Sequence, residues 1–270
     1  MNTKPIGIFD SGLGGLTALK ELHALLPDQD LLYFADTGRC PYGGRRPEQL
    51  RRMAAQNVQL LTDLGAGAVI AACGTVSSTA ADVLESFSIP VTGVLKPAVK
   101  AVSQLPGTAP VCVIATAASI ASGAYQTALE QACPGRRVIG IGCPDFVTLI
   151  ESGRRSADDP AVREAVERYL APAKEAGISA LLLGCTHYGI IREALSAYLG
   201  PQVRLVSASV CAARHMKNML CAEDAAPLSS GRGHCVFYTS GSAAEFAALA
   251  AQLLETDEPL EVHELPPMPA

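Results

Sequence analysis

The chain has 270 residues, enough for one large domain or two lobes of ordinary size. It is 49% apolar and 17% charged, has no tryptophan, and carries a formal net charge of −5. These values exclude a disordered chain and argue against a nucleic-acid footprint, which needs clustered Lys and Arg. The one basic cluster, Arg45-Arg46 with Arg51-Arg52, reads as a solvated helix start balanced by Glu48.

No apolar run reaches the roughly 18–20 residues of a membrane span. The nine cysteines are odd in number and lie mostly among small apolar residues, where a reduced Cys packs as a compact hydrophobe. The opening Met1-Asn2-Thr3-Lys4-Pro5 runs straight into an apolar segment, so no leader peptide is expected. Together these features predict a soluble protein in a reducing, cytoplasmic setting.

Short apolar runs alternate with segments of helical period, the pattern of parallel sheets covered by helices. In chain order, strands are predicted at 6–9, 30–35, 68–72, 91–94, 111–115, 137–142, 180–183, 203–206 and 234–239. Helical spacing covers 16–26, 47–64, 77–86, 97–104, 119–133, 160–176 and 190–199, with Asp158-Asp159 as candidate caps before Pro160. A strand, turn and helix at the start leads to a strand ending in Cys73. A second such unit, from Val111 to Thr116, leads to a strand ending in Cys185. The expected architecture is α/β: two similar lobes, each a mostly parallel sheet flanked by helices, with the active site in the cleft between them. Lobe one is expected to comprise residues 1–96 and 207–270, with Asp10 and Cys73. Lobe two is expected to comprise 97–206, with Glu151, Cys185 and His187. The proline-rich stretch Leu265-Pro266-Pro267-Met268-Pro269 is expected to form a loose tail.

Four groups of residues could carry chemistry. Ile8-Phe9-Asp10-Ser11-Gly12-Leu13-Gly14-Gly15 delivers Asp10 and Ser11 to a strand end, where α/β sheets bind ligands. A dinucleotide loop does not fit, because Thr17 stands where a third glycine is needed and Asp10 would oppose a pyrophosphate. The segment is either a plain glycine-rich turn or a substrate contact. Asp36-Thr37-Gly38-Arg39-Cys40-Pro41-Tyr42-Gly43 is a loop expected at the same sheet edge. Cys73, before Gly74-Thr75, and Cys185, before Thr186-His187, each end a buried strand where a helix starts. There the free N–H groups favour a thiolate. Any single buried Cys is usually inert, but a matched pair across a cleft is suited to moving a proton from one face of a carbon to the other. His187 is either structural or a proton-transfer partner of Cys185, and Glu151 is either a surface residue or a second carboxylate near the cleft. Cys185-Thr186-His187 supplies too few ligands for a zinc site, so no metal is expected.

Together these segments resemble the glutamate racemases of the aspartate/glutamate racemase superfamily, over nearly the whole chain and in order. The blocks are IGIFDSGLGGLT, YFADTGRCPYG, the Cys73 turn, IATAASIASGAY, CPDFVTLIESG, LLLGCTHY and FYTSG. The resemblance implies a cofactor-independent, two-base racemisation of glutamate that supplies D-glutamate for peptidoglycan. Cys73 and Cys185 would flank the α-carbon, Asp10 would support Cys73, and His187 and Glu151 would support Cys185. Ser11, Pro41, Tyr42, Gly43, Gly74, Thr75, Thr116, Thr186 and His187 match positions that hold the substrate, and a homodimer is plausible on the family pattern. Four positions depart from that pattern: Gly74 where an Asn is usual, Lys96 for Glu, Gly189 for Pro and Ser207 for Asp. Losing the amide at position 74 is expected to cost roughly 1.5–3 kcal/mol of substrate contact. Gly74 and Lys96 therefore leave open another amino-acid substrate, such as aspartate, or a weakly catalytic ligand-binding relative.

Overall fold

The computed structural model describes residues 4–222, 233–266, 268 and 269. In chain order the first elements are β1 (Ile6–Asp10), α1 (Leu16–Leu25), β2 (Leu31–Ala35), α2 (Pro47–Asp63), β3 (Ala68–Ala71), α3 (Gly74–Thr79), α4 (Ala81–Leu84) and β4 (Val91–Gly93). Then follow α5 (Leu95–Ser103), β5 (Val111–Ala115), α6 (Ala117–Ala121), α7 (Ala124–Ala132), β6 (Val138–Gly142), α8 (Pro144–Glu151), α9 (Pro160–Glu175), β7 (Ala180–Leu183), α10 (Arg192–Leu199) and β8 (Arg204–Ser207). The chain closes with α11 (Ala208–Ala222), β9 (Cys235–Thr239), α12 (Ala243–Leu254) and β10 (Val262–Glu264).

Two parallel sheets result, one ordered β10-β9-β2-β1-β3-β4 and the other β6-β5-β7-β8. The run β2-β1-β3-β4 and the run β6-β5-β7-β8 have the same winding, so the second sheet repeats the topology of the first. In each, the order reverses beside one strand, β1 and β5, and the loops leaving that strand and its neighbour diverge. This opens a crevice at the carboxyl ends. Asp10 and Cys73 therefore stand at one crevice, Thr116 and Cys185 at the other.

The strands β1, β2, β3, β5 and β7 are apolar runs buried on both faces because helices cover both sides. Helices α1, α5, α7, α11 and α12 lie between the sheets. There Ile8, Ile70, Leu19, Val102, Val113, Leu182, Ala212 and Phe246 belong to one continuous core. α2 covers the outer face of the first sheet through Leu50, Met53, Val58 and Leu61. α8, α9 and α10 cover the second through Phe146, Val162, Leu170 and Leu195. Burial of such Leu, Ile and Phe side chains contributes about 1.5–3 kcal/mol each. α9 starts as its sequence predicts, with the Asp159 carboxylate accepting from the N–H groups of Ala161 and Val162 and Pro160 in the first turn.

Each of the nine predicted strands is present to within a residue, but other elements differ. The segment 119–133 divides into α6 and α7 at Gly123, whose φ of +70° lies in the left-handed region. The segment 77–86 divides at Ala80, which leaves helical geometry. α11 carries a small-residue face, Ala208, Ala212 and Ala213 with Met216, whose weak periodicity concealed a helix packed on α1 and α5. β10 is a three-residue strand whose residues are half-buried or exposed, too short to give an alternation signal. The tail is docked rather than loose: Leu265 and Met268 pack on the outer core of the first sheet, and the Pro269 carbonyl accepts from Arg39 Nη1 at 3.1 Å. Among the described residues, no helix is long and apolar enough to cross a membrane.

Candidate active site

The two crevices open into one cavity of about 530 Å³, lined from the first sheet by Asp10, Ser11, Pro41, Tyr42, Gly43, Cys73, Gly74 and Thr75. From the second come Thr116, Glu151, Cys185, Thr186 and His187. Every sequence-predicted site residue is thus brought to the same cavity. Both thiols are nearly enclosed, Cys73 at 5% exposure and Cys185 at 7%.

Cys73 leaves β3 and caps α3. Burial and the Asp10 carboxylate both push its thiol well above the ordinary cysteine range. The N–H groups of Val76 and Thr75 oppose this, as a helix start should, yet burial outweighs them. The sequence argument that a helix N-terminus yields a thiolate therefore fails at Cys73. Asp10 itself is buried. One carboxylate oxygen, Oδ2, accepts from the Gly15 N–H at 2.9 Å, while Oδ1 has no hydrogen-bond partner.

Cys185 leaves β7 and starts a 3₁₀ turn, Thr186–Gly189, which folds His187 back toward the thiol. His187 Nδ1 lies 3.9 Å from Cys185 Sγ, and Nε2 lies 3.1 Å from Glu151 Oε1 on α8. Burial disfavours the charged imidazole. Hydrogen bonds to Cys185 and Glu151, with the negative charge at Cys185 and Asp10, override it and raise the His187 pKa to about 10. The second crevice thus holds a carboxylate–imidazole–thiol chain suited to taking and giving a proton at sulfur.

Hydroxyls converge between the thiols. Thr75 Oγ1 and Thr116 Oγ1 lie 3.3 Å apart across the cleft, and Thr116 also caps α6 through the Ser119 N–H. Tyr42 meets the cavity while its hydroxyl donates to Asp36 and accepts from Asn57 Nδ2 at 2.9 Å. Asp36 also takes Arg39 Nε at 2.7 Å and Ser240 Oγ at 2.7 Å. This buried network fixes the 37–43 loop from below. No group of three or more His, Cys, Asp or Glu placed to hold a metal ion occurs among the described residues.

A sequence profile for the family described as Asp/Glu/Hydantoin racemase matches residues 17–216. The chain belongs to that family, and so is an isomerase. Among its relatives, the glutamate racemase of Herpetosiphon aurantiacus is 37% identical over 95% of this chain and 100% of its own. Solved structures are similar too. The glutamate racemase of Francisella tularensis in complex with D-glutamate has a TM-score of 0.88 at 34% identity, covering 98% of each chain. That of Thermus thermophilus in complex with β-chloro-D-alanine has a TM-score of 0.85 at 37% identity, covering 97% of this chain and 96% of its own.

Of the four departures from the racemase pattern, three lie outside the cavity lining. Lys96 is exposed and pairs with Glu85, so it does not remodel the pocket as expected. Ser207 accepts from the Val210 N–H at the start of α11. Gly189 lies beside Thr17 and Ser207. Only Gly74 lines the cavity. Sequence reasoning placed Cys40 in a candidate loop without singling it out and missed, among others, Pro144, Val147 and Thr148, which also line it. The last three share a face of α8 with Glu151, at offsets of seven, four and three residues, so helical spacing back from that carboxylate was the available signal. Cys40 is half-buried. Burial and the Glu151 and Asp10 carboxylates push its thiol up to about 12, so it keeps its proton at ordinary pH.

Proposed function

We propose that this racemase interconverts L- and D-glutamate by a two-thiol, two-base reaction that needs no cofactor. The observation that carries the reading is the pair of thiols, Cys73 and Cys185, lining one cavity from equivalent strand tips of two sheets with the same winding. Its named relatives support glutamate as the substrate.

Burial keeps the proton on Cys73, and Cys185, in contact with the His187 ring, acts as the base in one direction. The Cys185 sulfur takes the α-proton from one face, and the C–H electron pair moves onto the α-carbon and its carboxylate. Cys73 then delivers its proton to the opposite face and becomes the thiolate. The other enantiomer runs the same steps in reverse, and proton exchange with solvent resets the pair. Asp10, with Oδ1 unpartnered, supports Cys73 and receives the substrate ammonium. Ser11, Thr75, Thr116 and Thr186, with the main chain at Pro41–Gly43 and Gly74, hold the carboxylates. No Lys or Arg lines the cavity among the described residues, so neutral donors and His187 meet the developing charge. Such preorganised groups are needed because an α-proton beside a carboxylate is a very weak acid.

The same reading includes a role in supplying D-glutamate for peptidoglycan, a cytoplasmic location, a homodimer, and lobes at 1–96 with 207–270 and at 97–206. Proton NMR in D2O tests the chemistry: both glutamate enantiomers should lose the α-proton signal without added pyridoxal phosphate, and circular dichroism should decay to zero. Absence of exchange from either enantiomer defeats the reading. Faster exchange from aspartate or a non-acidic amino acid keeps the two-thiol chemistry and replaces the substrate.

A further inference from the structure

The turn that carries Cys185 is seated against the first sheet with no room for a side chain at its tightest points. A methyl group built on Gly74 would lie 2.1 Å from the Gly184 carbonyl oxygen and 3.7 Å from the Cys185 Cα. One built on Gly14 would lie 2.2 Å from Thr186 Oγ1 and 2.5 Å from His187 Nδ1. A real Cβ does not approach non-bonded heavy atoms this closely, so either substitution forces a displacement.

The displaced groups differ. At Gly74 the obstacle is backbone, and that peptide is fixed from behind. The Gly184 N–H donates to the Ile114 carbonyl at 2.8 Å, and the Gly184 carbonyl accepts from the buried Tyr125 hydroxyl at 3.1 Å. Gly184 is itself confined, since a methyl there would meet Tyr125 Cζ at 3.1 Å. At Gly14 the obstacles are side chains, which can rotate away.

The geometry points to Gly74 and Gly14 as two positioning residues with separate tasks: the bare Cα of Gly74 sets the spacing between the Cys73 and Cys185 sulfurs, and that of Gly14 seats the His187 imidazole against Cys185. The inference rests on the two-thiol reading above. It also gives Gly74 a physical meaning beyond a lost amide, because backbone of the opposite lobe occupies the space where a side chain would begin.

The test compares Gly74→Ala and Gly14→Ala with the native enzyme by kcat and KM for both glutamate enantiomers across pH. A parallel arm measures the rate at which dibromobimane cross-links Cys73 to Cys185, located by peptide mass mapping. Gly74→Ala should lower kcat about 100-fold with a smaller change in KM, as expected for misaligned reacting groups, and should slow the cross-link. The shape of its pH profile should not change. Gly14→Ala should leave the cross-link rate near native and shift the alkaline limb of the profile. The groups facing His187 are Cys185, Glu151 of α8 and Asp10 of β1, with Arg155 beside the same small cleft. Of these, the Cys185 contact is the one Gly14→Ala disturbs directly.

Native kcat and native cross-linking in Gly74→Ala overturn the spacing role, and an unmoved pH profile in Gly14→Ala overturns the seating role. If Gly74→Ala does not fold, Tyr125→Phe releases the Gly184 carbonyl and should slow the cross-link and lower kcat about tenfold. No change in either also overturns the proposal. The cross-link reads sulfur spacing even in a protein without glutamate turnover. A slowed cross-link alongside an inactive native protein therefore sinks the substrate reading and keeps the spacing.

Discussion

Replacing Glu151 by Gln tests whether the carboxylate–imidazole–thiol chain sets the working protonation of the site. The amide keeps the size of the side chain and an oxygen able to accept from His187 Nε2, now 3.1 Å from Glu151 Oε1, but removes the negative charge. A hydrogen bond to a charged group is worth about 1.5–3 kcal/mol, and the Glu151 side chain is 39% exposed, so solvent screening favours the low end. About 1.5 kcal/mol corresponds to roughly one pKa unit. His187 should then titrate near 9, about one unit below its native value of about 10.

The alkaline limb of the kcat profile should move down with it, and the imidazole resonances of His187 should report the same shift by NMR. Stability has a defined sign. The folded pKa lies above the unfolded value of about 6.5, so the contribution is complete below that pH and is lost as pH rises through about 10. For the variant that loss ends near pH 9. The stability deficit of Glu151→Gln should therefore be constant below about pH 9 and vanish above about 10, a few degrees in Tm where it is full. A His187 titration that stays put, or a deficit that grows with pH, refutes the reasoning.

Asp36→Ala leaves the Arg39 guanidinium, 4% exposed, without its carboxylate, and should cost about 3–5 kcal/mol in urea unfolding while raising KM through the loosened 37–43 loop. Gly74→Asn should lower glutamate turnover rather than restore a family-like contact, because its Cβ collides with the Gly184 carbonyl; a gain in kcat would contradict the crowding there. Lys96→Glu should leave kcat and KM at native values and cost no more than about 1 kcal/mol, since the pair with Glu85 is exposed and remote from the cavity.

The framework was legible because its central strands are buried on both faces, which writes an uninterrupted apolar run into the sequence. Cys73 and Cys185 were legible for the same reason: both stand two residues past such a strand. The helices were less so where a single residue divides them, as Gly123 divides 119–133. Arg39 was unreadable as a buried group, since a charged residue in a loop ordinarily faces water. Its burial depends on Asn57 of α2 and the carbonyl of Pro269, neither near it in sequence. The thiolate expected at Cys73 illustrates a different limit. Sequence identifies the helix start that favours charge, but desolvation depends on how closely the rest of the chain covers the thiol, which is a tertiary quantity.

The loops that carry chemistry are held from behind by tyrosines. Tyr33 donates to the Gly12 carbonyl at 2.7 Å, steadying the turn between Asp10 and Gly15; Tyr125 holds Gly184; and Tyr188 donates to the Cys143 carbonyl at 2.7 Å, where α8 begins. All three rings are fully buried. Each carbonyl is an acceptor that would cost about 1–3 kcal/mol if left without a partner, so each phenol ties a site loop to the core by a bond the fold cannot give up cheaply. A phenol suits the task because it has only two side-chain torsions, and its ring is locked by packing before the hydroxyl engages. Four of the seven tyrosines, Tyr33, Tyr42, Tyr125 and Tyr188, thus hold or line the loops around the cavity. Tyr33 backs the Asp10 side, Tyr125 the Cys185 turn, and Tyr188 the helix that presents Glu151 to His187. Rigidity at the reacting carbon is thus built from three hydrogen bonds that never touch it.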